Sequence, residues 1–266
     1  MNDLRVRPPA VAGQFYTGDP RQLNRAVQEY IDAASLPEDV RHVKGVIAPH
    51  AGYTYSGTTA GYAFKALKQL PEKDRTVFLM GPAHRVPFTG VALGDYSAFR
   101  TPLGDVPVAT GIVSQMLEEA PFYIAAPHAH GSEHCLEVEL PFLQVSLPRF
   151  RLVPMLFGEV DPQEVAADLL DRLRVDDLIV VSSDLSHYHD HETAQNRDQR
   201  LIKALLQGNE SGVRHGEACG RAPVTALMEM SESNGWIPHL LDYRTSGDTG
   251  GGRSRVVGYA AIAYTL

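Results

Sequence analysis

The chain has 266 residues, 44% of them hydrophobic and 21% charged, and its 24 Lys and Arg against 32 Asp and Glu leave a net charge of -8. That composition supplies a sizeable core and excludes intrinsic disorder, which needs low hydrophobicity with high charge. The acidic balance argues against nucleic-acid binding and against docking on an anionic membrane, since both need a basic footprint.

No apolar run reaches the ~18–20 residues of a membrane span, and the opening MNDLRVRPPAVAG lacks the apolar stretch of a signal peptide. Cys135 and Cys219 are too few for a secreted disulfide framework, so a soluble, cytoplasmic protein is expected, with a bridge between them disfavoured. The unusual count is histidine, with 11 residues, most of them clustered.

In chain order, Asp19-Pro20 reads as an N-cap followed by Pro at the first helical position, opening a helix to about Ser35. VKGVIA (Val43 to Ala48) reads as a buried strand stopped by Pro49. Ser56 is expected to cap a helix with Tyr62, Ala63, Ala66, Leu67 and Leu70 on one face. TVFLM (Thr76 to Met80) is a second continuous apolar strand. Val91 to Val108 holds short β-prone pieces split by Gly and Pro, which suits a small antiparallel excursion.

A helix follows from about Thr110 to Ala120, and another from Glu137 to Leu147 interrupted by Pro141. LVPMLF, a helix after Asp161-Pro162, and DLIVVSS (Asp177 to Ser183) repeat the strand–helix–strand rhythm. Helices are expected at Glu192 to Gln207 and Ala222 to Met230. IPHLLDYRTS and RVVGYAAIAYT close the chain as strands, the last apolar on both faces and therefore central. The pattern predicts one α/β domain over 1–266, three-layered, with a largely parallel central sheet covered by helices on both faces. In such sheets ligands bind beyond the carboxyl ends of the strands.

Three apolar strands are followed at once by polar residues suited to metal binding or proton transfer. VIAPHAGYTYSG places His50 just past the first, FLMGPAHRVP places His84 past the second, and IVVSSDLSHYHDH places Asp184, His187, His189 and His191 past the third. The 34-residue separation of His50 and His84 is about one strand–helix–strand unit, which predicts neighbouring strand ends. A lone His in such a place most often bonds a nearby carbonyl. Two of them, each bracketed by turn-forming Pro and Gly, point to a shared site.

HYHDH reads as a loop in which His187, nearest the strand end and paired with Asp184, is the functional candidate. In HAHGSEHCLEVELPF the spacing fits neither HExxH nor a paired-Cys zinc site, and its glutamates suit a helix N-terminus. His134 is carried forward from it as a supporting or substrate-binding group. In EACGRAPVTALM, Cys219 lies just before a helix start, which favours its thiolate as nucleophile or metal ligand; the alternative is an inert buried Cys. No phosphate-binding glycine loop and no GxSxG elbow is present, and GDTGGGR (Gly247 to Arg253) reads as a flexible turn.

PHAGYTYSG, GPAHRVP, EHCLEVELPF, SSDLSHY and CGRAPV, in that order, resemble the Memo family, whose prokaryotic members are called AmmeMemoRadiSam system protein B. The likeness runs from AGQFYTGD at Ala12–Asp19 to GYAAIAY near the end. That family is similar in fold to the class III extradiol dioxygenases, which open catechol rings with non-haem iron. The resemblance implies metal ligands at His50, His84 and Cys219, with Asp184 and His187 in supporting active-site roles.

Where the dioxygenases carry a glutamate this chain carries Cys219, with Glu217 as the alternative ligand. The resemblance implies a divalent or redox ion, iron or copper first and zinc as the alternative. It implies a metal-dependent redox enzyme in which His187, oriented by Asp184, moves a proton and His134 or Tyr53 bonds a substrate oxygen. Alternatives are a scaffold for a peptide or small ligand, in line with animal relatives linked to phosphotyrosine signalling, and a metallohydrolase. The family's name further implies AMMECR1-type and radical S-adenosylmethionine partner proteins.

Overall fold

The computed structural model describes residues 5–266, so the start of the MNDLRVRPPAVAG stretch lies outside the described residues. The elements are β1 (Val6–Arg7), α1 (Pro20–Ala33), β2 (Val43–Ala48), α2 (Tyr53–Lys68), β3 (Arg75–Pro82), β4 (Val91–Leu93), β5 (Ala98–Thr101) and β6 (Gly104–Pro107). They continue with α3 (Thr110–Glu119), β7 (Tyr123–Ala125), α4 (Pro127–Gly131), α5 (Cys135–Ser146), β8 (Phe150–Phe157), α6 (Pro162–Arg172) and β9 (Leu178–Ser182). The chain closes with β10 (His187–His189), α7 (His191–Leu206), α8 (Glu210–His215), α9 (Arg221–Asn234), β11 (Ile237–Thr245) and β12 (Val256–Thr265).

The main sheet runs β10-β12-β2-β9-β3-β8-β4-β7, with β11 added alongside β12. Its centre, β2-β9-β3-β8, is parallel. β12 joins β2 antiparallel, β10 and β11 pair antiparallel with β12, and β4 pairs antiparallel with β8. The sheet is therefore mixed, which corrects the largely parallel expectation. The closing β-hairpin brings β12 back beside β2 without a helical crossover, and only a crossover gives parallel neighbours. β12 is nonetheless central, as its two apolar faces predict.

The Val91–Val108 excursion divides. β4 enters the main sheet, while β5 and β6 form an antiparallel hairpin that β1 extends into a separate three-stranded sheet. Phe99 and Val106 of that hairpin belong to the same hydrophobic core as the main sheet.

α1, α2 and α5 pack together over one face of the main sheet, and α6, α7, α8 and α9 over the other. α1 starts where the sequence predicts, with the Asp19 carboxylate accepting from the N–H groups of Arg21 and Gln22 at 2.9 and 2.8 Å. It buries Leu23, Val27 and Ile31, each contributing about 1.5–3 kcal/mol. α2 begins three residues before the expected cap, after Gly52. Ser56 lies inside it, its hydroxyl donating back to the Ala51 carbonyl at 2.9 Å.

α5 runs through Pro141 because nearly all of its residues are buried, so packing outweighs the lost backbone hydrogen bond. No helix among the described residues is long and apolar enough to cross a membrane.

Candidate metal centre

The carboxyl ends of β2, β9 and β3 meet the loop entering α5 at one edge of the sheet. His50 follows β2 and His84 follows β3, but β9 lies between those strands. The two histidines thus flank one strand end rather than occupying neighbouring ones, because the chain returns later to insert β9. Their rings still meet, with centroids 5.2 Å apart. His134, immediately before α5, completes the group at 5.3 Å from His50 and 4.8 Å from His84. One ring nitrogen from each of the three lies within 4.8 Å of the others.

Two of the imidazoles are held from behind. His50 Nδ1 lies 2.8 Å from Ser182 Oγ at the end of β9, and His84 Nδ1 lies 2.9 Å from Glu133 Oε1. Glu133 also accepts from the backbone N–H groups of His84 at 2.6 Å, His134 at 2.9 Å and Cys135 at 3.2 Å. His134 Nδ1 sits 3.0 Å from the same Oε1. Burial alone would raise the Glu133 carboxyl; the surrounding imidazole and amide donors outweigh it and hold the group far below the usual carboxylate range. His50 is driven the other way, its pKa pushed well down by burial and by the neighbouring His134 and His84, so it is a neutral base with a free electron pair.

Cys219 comes up on the β9 side, its Sγ 3.3 Å from His50 Nε2. Two donors of one ion, bound at about 2.1 Å through nitrogen and 2.3 Å through sulfur, stand roughly 3.1–3.6 Å apart at right or tetrahedral angles. The observed separation fits that pair. Unlike His134, however, Cys219 does not bring its donor atom within 4.8 Å of ring nitrogens of both His50 and His84. Its thiol is pushed up to about 12 by burial and the nearby Asp184 charge, which outweigh the helix start that was expected to favour the thiolate. Both cysteines are free.

Asp184 is buried, and burial pushes its carboxyl up to about 6. Its Oδ1 accepts from the His50 backbone N–H at 2.9 Å, so it anchors the His50 loop. The expected Asp184–His187 pairing is absent among the described residues: His187 donates its backbone N–H to Glu217 at 3.2 Å, and the Asp184 carboxylate accepts from the His50 backbone instead. Glu217 is held by His189 at 2.9 Å and Arg197 at 3.3 Å, leaving Cys219 as the donor that faces His50. Tyr53 is committed elsewhere, its hydroxyl donating to the Val138 carbonyl at 2.7 Å, so it offers nothing to a bound oxygen. His191 pairs with Asp248 away from the cluster.

Sequence reasoning missed Ser182, Glu139 and the bridging part of Glu133. Ser182 is the first unit of SSDLSH, and the acids of EHCLEVELPF stand in an otherwise apolar helix, which is the signal that could have singled them out. The third acid, Glu137, stands in the first turn of α5, as the helix-start reading has it, and there answers Arg7 in a fully buried ion pair. A cleft of about 1090 Å³ adjoins the centre at Ala83 and Cys219, although none of the imidazoles lines it.

A mixed α/β sheet with histidines and a thiol gathered beyond its strand ends defines a class of protein with a preformed donor crevice. The chain matches the model of the Memo-like protein family over residues 7–263 and belongs to that family. It is 35% identical to a MEMO1 family protein of Methanopyrus kandleri over 97% of this chain and 98% of that one. It is 34% identical to one from Methanothermobacter thermautotrophicus (97% and 100%) and 36% identical to one from Archaeoglobus fulgidus (98% and 100%).

Proposed function

We propose that the crevice binds a redox-active or divalent metal ion through His50, His84 and Cys219 and serves a metal-dependent redox enzyme acting on a small molecule. The observation that carries this is the convergence of the His50 and His84 imidazoles, both fixed through Nδ1, with the Cys219 sulfur 3.3 Å from His50 Nε2. The donor set of nitrogen and sulfur suits copper, iron or zinc rather than calcium or magnesium. Bound there, the ion would supply Lewis-acid and electron-transfer chemistry and would hold the Cys219 sulfur as thiolate.

The chain's own residues do the rest. Glu133 and Ser182 orient the His84 and His50 rings from behind. His187, half-buried and among the described residues hydrogen-bonded through its backbone and not its ring, would use its imidazole to take a proton from a substrate hydroxyl and return it. His134 presents its ring beside His50 and His84, where a substrate oxygen can accept from it.

Anaerobic cobalt(II) loading tests the assignment. Wild type is expected to bind one equivalent with a sulfur-to-metal charge-transfer band, which Cys219→Ser abolishes and His50→Ala prevents by losing the metal. His187→Ala is expected to keep the metal and lose turnover. Unchanged stoichiometry in His50→Ala and His84→Ala would sink the reading, and loss of metal in His187→Ala would make that residue a ligand.

A further inference from the structure

Behind His50 lies a buried group to which the proposed chemistry gives no part. Glu139, on α5, is completely buried and among the described residues has no cationic partner; its Oε1 lies 2.8 Å from Ser182 Oγ, and its Oε2 has no hydrogen-bond partner among them. The same Ser182 Oγ lies 2.8 Å from the Cys135 carbonyl and 2.8 Å from His50 Nδ1. A serine hydroxyl has one hydrogen to give and two electron pairs with which to accept.

The Cys135 carbonyl can only accept, so it takes the Ser182 hydrogen. The other two neighbours must then donate to Ser182: Glu139 through a carboxylic O–H and His50 through Nδ1–H. Any other assignment leaves two oxygens 2.8 Å apart with no well-placed proton between them, or divides one hydrogen between two acceptors. Burial independently drives the Glu139 carboxyl well above the usual range, in the direction this count requires.

We infer that Glu139 is a permanently protonated acid that, by donating to Ser182, fixes His50 as the Nδ1–H tautomer and so turns the Nε2 electron pair toward Cys219 and the centre. Glu139 is thus a positioning residue acting through Ser182. The inference rests on the metal-centre reading only for its purpose; the tautomer and the acid proton are properties of the free protein.

The test uses the full chain without metal first. Difference infrared spectra of wild type against Glu139→Gln should show the carbonyl stretch of a protonated carboxylic acid at neutral pH, lost in the variant. Long-range proton–nitrogen NMR should report His50 as Nδ1–H in wild type. Glu139→Gln should keep that tautomer, because its amide donates to Ser182 as the acid does. Ser182→Ala, and Glu139→Leu where it folds, should release it into a mixture.

Zinc affinity, measured by chelator competition, should fall about 10–100-fold in Ser182→Ala and be largely retained in Glu139→Gln. An ionised Glu139, or a His50 signal unmoved by Ser182→Ala, overturns the inference. Should wild type show the acid stretch and the fixed tautomer yet bind no zinc, the metal reading fails and the inference stands.

Discussion

Gly258, near the start of β12, is where the fold meets the loop that carries Asp184 and His187. Its N–H donates to the Ser186 carbonyl at 2.9 Å, and its carbonyl accepts from the Leu185 N–H at 2.8 Å. A Cβ added there would stand 1.9 Å from Oδ2 of Asp198 and 2.6 Å from its Cγ. Asp198 is not free to swing aside. It is 1% exposed, its Oδ1 accepts from the Ser186 N–H at 3.0 Å and its Oδ2 from the Tyr243 hydroxyl at 2.8 Å.

Overpacking a core position costs about 1–3 kcal/mol, and giving up one hydrogen bond to a charged group about 1.5–3 kcal/mol. Gly258→Ala should therefore destabilise by about 3–5 kcal/mol, which for a chain of this length lowers Tm by roughly 10 °C. Calorimetry or thermal circular dichroism reads this directly. Since the clash is with one side chain, Gly258→Ala should add little once Asp198→Ala has removed it, a coupling of about 3 kcal/mol or more in a double-mutant cycle. A Tm within about 2 °C of wild type for Gly258→Ala, or strict additivity in the cycle, would refute the reasoning.

Two further outcomes are expected. Glu133 has a carboxyl depressed in the folded state, so its stabilisation is fully present above the ordinary glutamate pKa of about 4.3 and is lost as pH falls below it. Glu133→Gln should accordingly be less stable than wild type at neutral pH, with the gap closing on acidification in a pH series of urea melts; a gap that widens toward acid would reverse the assigned sign. Arg7 and Glu137 form an ion pair with both partners buried, so Arg7→Met leaves Glu137 without its cation and should cost about 3–5 kcal/mol. Restored stability in Arg7→Met with Glu137→Gln, measured by the same melts, checks that the loss comes from the stranded charge.

Much of the fold and part of the centre are legible in the sequence, for a local reason. Continuous apolar runs such as Val43–Ala48 and Leu178–Ser182 mark buried strands, and the polar residue that follows each one marks the edge where ligands bind. His50 and His84 stand out on that basis. Strand order does not, because the insertion of β9 between β2 and β3 depends on pairing among segments more than 100 residues apart. The supports behind the imidazoles are hidden for the same reason. Ser182 looks like a strand end until the carbonyl of Cys135 and the acid of Glu139 arrive from α5. Nothing local marks the cap of α2 either, since Gly52 ends its loop through backbone contacts alone.

The segment from His130 to Glu139 is what joins these long-range contacts into one centre. Three buried acids fall within one short, apolar stretch, and each has a different solution to its burial. Glu137 keeps its charge against Arg7 and also accepts from the N–H groups of Ala10 and Val11 and from the Tyr16 hydroxyl. Glu133 keeps its charge against the amides and imidazoles of His84 and His134. Glu139 has neither, and gives up the charge to serve as a donor.

Arg7 ties the set together by donating also to the carbonyls of His130 and Glu133, and Tyr53 holds Val138 from the α2 side. An unpaired buried carboxylate costs more than a neutral one, so such a stretch is tolerated only where partners are preplaced. The resulting rigidity keeps the histidine rings from turning away from one another. That explains why α5 is polar at positions where packing alone would call for leucine.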